Sequence, residues 1–298
     1  MSRKALITGC KGQLGSDLIR LLSNEYEIFA FDIEDLDIRD FSKAQSYFGK
    51  IRPQVVIHTA AYTDVDACES NAELAMSVNA VGTENIACAC REIGAKMIYY
   101  STDYVFDGLK DSAYIEEDMP NPMTVYGKSK LEGEKRIQAN LRDFSILRIA
   151  WVYGAYGRNF VKTMIKLGNK QLRERKTGKE IMPIEIVDDQ IGNPTWTMEI
   201  AKQTKIIIST NLQGVIHCTA EGESSWFNLA KSIFEELSMA IDIIPCATED
   251  HPRPAPRPRH SSLENGKLKK AGLNNMRQYK EALKEFLAEH GEKLKNEI

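Results

Sequence analysis

The chain has 298 residues, and 39 lysines and arginines against 42 aspartates and glutamates give a formal net charge of −3. This length suits one large domain or two closely joined ones, and the charge excludes the strongly basic composition typical of nucleic-acid binding. Hydrophobic residues make up 43% and charged residues 27%, a balance that excludes a disordered or collagen-like chain and predicts a globular protein with a sizeable core.

The N-terminal residues and the cysteines together predict a cytoplasmic protein. The apolar stretch after Arg3 and Lys4 is interrupted at Lys11, too early for the core of a signal peptide, and no apolar run approaches the roughly 20 residues of a membrane span. Cys88 and Cys90 form the closest cysteine pair, but residues two apart on a helix point in different directions. We therefore predict free thiols in a reducing compartment and no metal shared by these two cysteines.

Short β-branched or aromatic runs alternate with longer segments of helical periodicity in the first half of the chain. The predicted strands are Ala5–Thr8, Glu27–Phe31, Val55–Thr59, Met97–Ser101 and Ser145–Ala150. The predicted helices are Leu14–Ser23, Phe41–Ile51, Ala72–Glu92 and Val125–Asn140. This alternation predicts an α/β fold with a Rossmann-type doubly wound parallel sheet.

After about Val152 the alternation becomes irregular. Predicted elements here are helices at Asn159–Leu167, Met198–Ser209, Ser225–Leu237 and Gln278–Lys295, with strands at Ile184–Val187 and Val215–Cys218. We predict a dinucleotide-binding domain over residues 1–152 and a smaller α/β substrate-binding lobe over residues 153–298, with parts of the two interleaved. Alternating prolines over residues 251–259 favour an extended segment. We interpret it as an ordered arm across the lobe, with arginines available to a phosphate, rather than a ligand for a proline-recognition domain.

Three glycines mark the turn from the first predicted strand into the first helix. Gly9, Gly12 and Gly15 would allow a tight turn, a close approach of the backbone to a pyrophosphate and close packing of helix on strand. Asp32, at the end of the second strand, is placed to accept hydrogen bonds from an adenosine ribose and to repel a 2′-phosphate. This favours NADH over NADPH, although Arg39 lies near enough in sequence to meet a phosphate.

Tyr126 and Lys130 stand four residues apart at the start of a predicted helix, for which Thr124 is the expected N-cap. The two side chains therefore share one helix face, where an ammonium would lower the pKa of the tyrosine. Thr102 ends the fourth strand, at the edge where open parallel sheets bind ligands, and its hydroxyl could polarise a carbonyl group.

The chain resembles the extended short-chain dehydrogenase/reductase family, and within it most closely the dTDP-4-dehydrorhamnose reductases. The resemblance covers essentially the whole sequence. The motifs on which it rests are Gly12-Gln-Leu-Gly15, Ala60-Ala-Tyr-Thr-Asp-Val-Asp66 with Glu69, Tyr100-Ser-Thr-Asp-Tyr-Val-Phe106, Tyr126-Gly-Lys-Ser-Lys130, Arg148-Ile-Ala-Trp-Val-Tyr153, Asn159-Phe160 and Asp189-Gln-Ile-Gly-Asn-Pro-Thr195.

This resemblance implies a role for residues at three subsites. Catalysis falls to Thr102, Tyr126 and Lys130, and substrate binding to Thr102, Asp103 and Trp151. The cofactor contacts, together with the glycine loop, are Gly9, Gly12, Gln13, Leu14, Gly15, Asp32, Asp40, Phe41, Ala61, Tyr62, Thr63, Tyr100, Tyr126 and Lys130. The metal-binding glutamates suggested for some dimers of the family have no secure match here, so Mg²⁺ and a homodimer are left open.

The function that the resemblance implies is reduction of the 4-keto group of a dTDP-linked 6-deoxy sugar by NADH or NADPH. Asp103 is followed by Tyr104 rather than by a second acid, which argues against a sugar dehydratase. Another epimerase or reductase of nucleotide sugars is the nearest alternative. A regulatory subunit that binds NAD(P) without catalysis is the alternative from a different class, and the intact set of Thr102, Tyr126 and Lys130 argues against it.

Overall fold

The computed structural model describes residues 3–297. Residues 1, 2 and 298, which the predicted domains include, lie outside the described part. The strands are β1 Arg3–Thr8, β2 Tyr26–Phe31, β3 Val55–His58, β4 Lys96–Thr102, β5 Phe144–Ile149, β6 Val152–Tyr153, β7 Ile184–Val187, β8 Ile191–Gly192, β9 Thr195–Trp196, β10 Gly214–His217, β11 Ser224–Ser225 and β12 Ile243–Cys246. The helices are α1 Gln13–Leu22, α2 Phe41–Ile51, α3 Val65–Ser70, α4 Ala72–Met76, α5 Thr83–Ile93, α6 Val125–Asn140, α7 Phe160–Lys176, α8 Thr197–Ile208, α9 Trp226–Glu236, α10 Gly266–Lys270 and α11 Tyr279–Glu297.

Six parallel strands form the central sheet in the order β2–β1–β3–β4–β5–β10. Successive residues of each strand point to opposite faces, so Leu6 and Val56 join one hydrophobic cluster while Ile7 and Ile57 join another. Both faces are covered, which explains why these strands are continuously apolar rather than alternating. The Rossmann-type α/β architecture is confirmed.

The second half of the chain adds three small two-stranded sheets, β6 with β9, β8 with β11, and β7 with β12. It also contributes to the first half directly. Strand β10 pairs with β5 at the edge of the central sheet, and α8 packs against α1. The division at residue 152 remains a prediction. Strand β10 and helix α8 follow that residue in sequence but pack against elements that precede it.

The segment expected as one helix over 72–92 contains a π-helical stretch at Ser77–Gly82, between α4 and α5. The stretch carries Asn79, whose amide accepts from the backbone N–H of Tyr62 at 2.8 Å and donates to the Ser129 hydroxyl at 3.0 Å. π-Helical turns of this kind occur mostly within α-helices at functional sites. Here the turn ties the loop after β3 to the helix α6.

Within residues 3–297, no helix is long and apolar enough to cross a membrane. All six cysteines are free thiols.

Candidate active site

A cavity of about 710 Å³ opens at the carboxyl ends of the central strands. Parallel sheets bind ligands at this edge. Most of the residues proposed from the sequence line this cavity: Gly9, Gly12, Gln13, Leu14, Gly15, Asp32, Ala61, Thr63, Tyr100, Thr102, Asp103, Tyr126, Lys130 and Trp151.

Asp40, Phe41 and Tyr62 are not among the residues that line the cavity. The Asp40 side chain caps α2 by accepting from the backbone N–H of Lys43, and Phe41 begins that helix. The backbone of Tyr62 is held by Asn79. The cofactor contacts expected at these three residues therefore remain predictions.

The glycine loop leaves no room for side chains where the sequence predicts a phosphate cradle. Gly9 has a φ of +69°, and a Cβ there would lie 2.7 Å from the backbone nitrogen of Ala60. A Cβ on Gly15 would lie 2.3 Å from the carbonyl oxygen of Gly9. Helix α1 begins directly after Gly12, so its free N–H groups and positive dipole end face the cavity.

Asp32 is fixed at the end of β2 by two backbone donors. Its carboxylate accepts from the N–H of Lys11 and from the N–H of Ile33, each at 2.9 Å. The nearby cations are engaged by other acids: Lys11 pairs with Glu34 at 2.9 Å, and Arg39 with Asp37 at 2.5 Å. Asp32 thus lines the part of the cavity next to the glycine loop, with no cation paired to it among the described residues.

Thr102, Tyr126 and Lys130 meet on the other side of the glycine loop. Thr124 caps α6 by accepting from the N–H of Gly127 at 2.9 Å, as the sequence predicts. The first two turns of that helix then direct Tyr126 and Lys130 into the cavity. Thr102 ends β4 and lines the same cavity, and its hydroxyl lies close enough to Tyr126 to oppose the effect of burial on the pKa of that tyrosine.

Burial has the largest effect on the pKa values of Tyr126 and Lys130. It raises the pKa of Tyr126 well above its usual range, and the neighbouring Asp103 raises it further. Burial also lowers the pKa of Lys130 to about 7, against an opposing effect of Glu134. The expected lowering of the tyrosine pKa by Lys130 is absent here, because the buried phenol is expensive to ionise and the ammonium lies over the Tyr99 ring, 4.1 Å from its centroid. Tyr126 consequently holds its proton at neutral pH.

Asp103 is a buried acid next to Thr102 and near Tyr126. It is 2% exposed, and its Oδ1 accepts from the Thr102 hydroxyl at 2.9 Å. Its Oδ2 has no hydrogen-bond partner among the described residues. Burial raises the pKa of this carboxyl to about 6. The Oδ2 atom is buried as well, and the Ser261 side chain lowers the pKa of this carboxyl against the effect of burial.

At the opposite end, Trp151 and Trp226 lie against each other. Their ring centroids are 3.5 Å apart and their planes differ by 1°. The Trp226 indole N–H donates to Gln190 Oε1 at 3.0 Å, and all three residues line the cavity. Sequence reasoning proposed Trp151 but missed Trp226 and Gln190 as site residues. Gln190 lies in a segment that carries the family resemblance, whereas no local motif marks Trp226.

The proline-rich arm runs without helix or strand over most of residues 251–259 and reaches the cavity at Pro258. Asp66 holds it: one carboxylate oxygen accepts from the N–H of Ala255 at 3.2 Å and the other from the Arg257 guanidinium at 2.8 Å. Arg257 is thus paired with an acid of α3. A phosphate contact from Arg253, Arg257 or Arg259 remains a prediction.

Metal ligands do not cluster in the part of the chain that the structure describes. No group of three histidine, cysteine or acidic side chains there could hold an ion.

Residues 3–291 match the family described as RmlD substrate binding domain. The chain belongs to that family. It is 37% identical over 287 residues to the spore coat polysaccharide biosynthesis protein SpsK of Bacillus subtilis, covering 96% of this chain and 97% of that protein. It is 37% identical over 302 residues to the dTDP-4-dehydrorhamnose reductase of Aggregatibacter actinomycetemcomitans, covering 93% and 99%.

Solved structures agree with this family assignment. The crystal structure of dTDP-4-dehydrorhamnose reductase from Bacillus anthracis in complex with NADP superposes with a TM-score of 0.92. Its sequence is 39% identical, and the match covers 97% of this chain and 100% of that one. The resemblance expected from the sequence motifs is confirmed.

Proposed function

We propose that this chain is an NAD(P)H-dependent oxidoreductase that reduces the 4-keto group of dTDP-4-dehydrorhamnose to give dTDP-L-rhamnose. The observation that carries the proposal is the meeting of Thr102, Tyr126 and Lys130 in one cavity with the glycine loop. Membership of a family that includes reductases of this name supports the substrate.

The residues present fit a dinucleotide. Gly9 and Gly15 let the loop pack closely against Ala60 and against its own backbone. This packing leaves the start of α1 facing the cavity, where its N–H groups would hold a pyrophosphate, and Asp32 would hold the adenosine ribose. Bound NADH or NADPH supplies a hydride for the ketone carbon. Asp32 favours NADH, while the NADP complex of the Bacillus anthracis relative supports use of NADPH as well.

The protein groups would act on the oxygen of the ketone. Thr102 would turn its hydroxyl from Asp103 to the bound substrate and donate a hydrogen bond to the carbonyl oxygen, which stabilises the negative charge that develops there. Tyr126 then gives its phenolic proton to the alkoxide oxygen as general acid. Burial raises the pKa of Tyr126, so the phenol is protonated at neutral pH and has a proton to give when the reduction begins.

Asp103 and Trp151 are proposed as the contacts for the sugar. Asp103 lines the cavity beside Thr102 and would contact a sugar hydroxyl there, and Trp151 offers apolar surface for the methyl group of a 6-deoxy sugar. The cytoplasmic location and the homodimer remain predictions.

The direct test is to incubate the purified chain with dTDP-4-dehydrorhamnose and each reduced cofactor. Cofactor oxidation is followed by absorbance, and the product is identified by NMR. We expect turnover to dTDP-L-rhamnose, abolished when either reactant is omitted. Tight cofactor binding with no turnover of this or any other keto-sugar nucleotide would instead indicate a regulatory subunit.

A further inference from the structure

The Trp151–Trp226 stack is assembled from distant parts of the chain. Trp151 follows β5, whereas Trp226 is the first residue of α9. Phe160, the first residue of α7, packs against Trp226 with a centroid distance of 4.5 Å. Gln190 fixes the Trp226 indole N–H. Trp226 is therefore held on two sides and is not free to turn away from Trp151.

The backbone of Trp151 is strained. Its φ of +45° lies in the left-handed region, which is costly for a bulky side chain and persists only where surrounding contacts impose it. Its carbonyl oxygen accepts from the N–H of Thr195 at 3.1 Å. The indole stack is a further contact of this residue, so Trp226 contributes to holding the unusual conformation.

Gly192 provides the space that this pose of Trp151 requires. A Cβ at Gly192 would lie 2.3 Å from Cε2 and 2.4 Å from Nε1 of the Trp151 indole. The backbone of Gly192 does not itself need glycine, because its φ lies outside the left-handed region. Close approach to the indole is thus the reason for a glycine in β8.

We propose that Trp226 is a positioning residue that determines specificity for the sugar, by holding the Trp151 indole in the orientation that a deoxy-sugar meets. Trp226 covers one face of Trp151, so residue 226 decides how much indole surface remains for a ligand. The inference rests on the proposed function, since it deepens the sugar-binding role of Trp151. It concerns binding of the sugar and not binding of the nucleotide cofactor, which we assign to the glycine loop at the start of α1.

The test compares Trp226→Leu with Phe227→Leu. Phe227 is the next residue of α9 and is also a half-buried aromatic residue, but it does not line the cavity. We expect Trp226→Leu to raise KM for dTDP-4-dehydrorhamnose about tenfold. A change of this size corresponds to the interaction free energy of one stacked aromatic pair. Its affinity for NADPH and for dTDP without a sugar should stay unchanged. Phe227→Leu should leave all three constants unchanged.

Circular dichroism gives a readout independent of activity. Trp196, the third tryptophan of the chain, packs against Phe286 and His290, so an exciton couplet between indoles is assigned to the Trp151–Trp226 pair. Trp226→Leu should abolish the couplet. Gly192→Ala, which forces the indole aside, should weaken it and also raise KM for the sugar nucleotide.

The two proposals fail in different ways. Absence of turnover by the unsubstituted protein would reject the proposed function. Turnover with an unchanged KM in Trp226→Leu, or an equal loss of affinity for dTDP and dTDP-L-rhamnose by calorimetry, would overturn the positioning role. If Trp226→Leu does not fold, an unchanged KM in Gly192→Ala overturns it equally.

Discussion

Arg148 of β5 and Glu134 of α6 form a two-pronged ion pair that is almost wholly buried. Nε donates to Oε1 at 3.0 Å and Nη2 to Oε2 at 2.8 Å, with side chains 4% and 1% exposed. Glu134 lies one helical turn after Lys130 and raises the pKa of that lysine against burial. The pair thus joins the sheet to helix α6, which carries Tyr126 and Lys130, and it places a negative charge beside Lys130.

Removing one partner of this pair should be costly. Glu134→Gln leaves the Arg148 charge buried without its counter-charge, and we expect a loss of about 3–5 kcal/mol in the free energy of unfolding. The double substitution Glu134→Leu with Arg148→Met should recover much of that loss. Urea denaturation of the single and double variants measures both. A single-variant loss below about 1 kcal/mol would contradict this account.

Tyr126→Phe should lower kcat by at least roughly 100-fold, because general acid catalysis typically contributes 10²–10⁴. The phenyl ring keeps the edge contact with Tyr104, whose ring centroid lies 5.8 Å away, so folding and NADPH affinity should be retained. Steady-state kinetics and cofactor titration by fluorescence check the two parts. Near-normal kcat would exclude Tyr126 as the proton donor.

Lys130→Met should stabilise the cofactor-free protein in a pH-dependent way. Burial lowers the pKa of Lys130 from 10.5 to about 7, so between these values the unfolded chain binds more protons than the folded one, and stability rises with pH. The burial cost is complete below about pH 7 and disappears towards pH 10.5. We expect the variant to be more stable by on the order of a few kcal/mol near pH 6, partly offset by the lost contact with the Tyr99 ring.

Denaturant midpoints of both proteins across this pH range provide the measurement. An advantage of the Met variant that is constant with pH would show that the effect does not come from titration of Lys130.

Asp32→Ala should reduce any preference for NADH over NADPH. The substitution removes the carboxylate that would accept from the ribose hydroxyl and repel a 2′-phosphate. It also frees the N–H groups of Lys11 and Ile33, which could then bind an anion. The ratio of kcat/KM for the two cofactors is the test, and an unchanged ratio would leave Asp32 with a role in the loop only.

The elements and residues predicted from the sequence are those fixed by local rules. Apolar runs predicted β1, β3, β4 and β5 to within a few residues, because strands covered on both faces are mostly apolar. The edge strand β2 has no fully buried residue, but its run of apolar and aromatic residues still marked it. The N-cap at Thr124 and the four-residue spacing of Tyr126 and Lys130 likewise depend only on helix geometry. Thr102 followed from the rule that parallel strands end at the ligand edge.

What the sequence did not predict depends on contacts between distant segments. Trp226 meets Trp151 across 75 residues of chain, and no spacing rule connects them. The π-helical turn at Ser77–Gly82 has no sequence period that distinguishes it from an α-helix. The direction of the Tyr126 pKa shift is set mainly by burial, and burial depends on segments that are distant in the sequence. The four-residue spacing placed Lys130 correctly but could not predict this direction.

Strand β10 closes the sheet with residues from the second half of the chain. A fragment that ended at residue 152 would leave the backbone N–H and C=O groups of β5 along that side without partners. Such an edge is a template for strand addition by another molecule. The fragment would therefore be expected to self-associate, and co-expression of residues 153–298 to rescue it, which makes the two halves a candidate pair for a split-protein reporter.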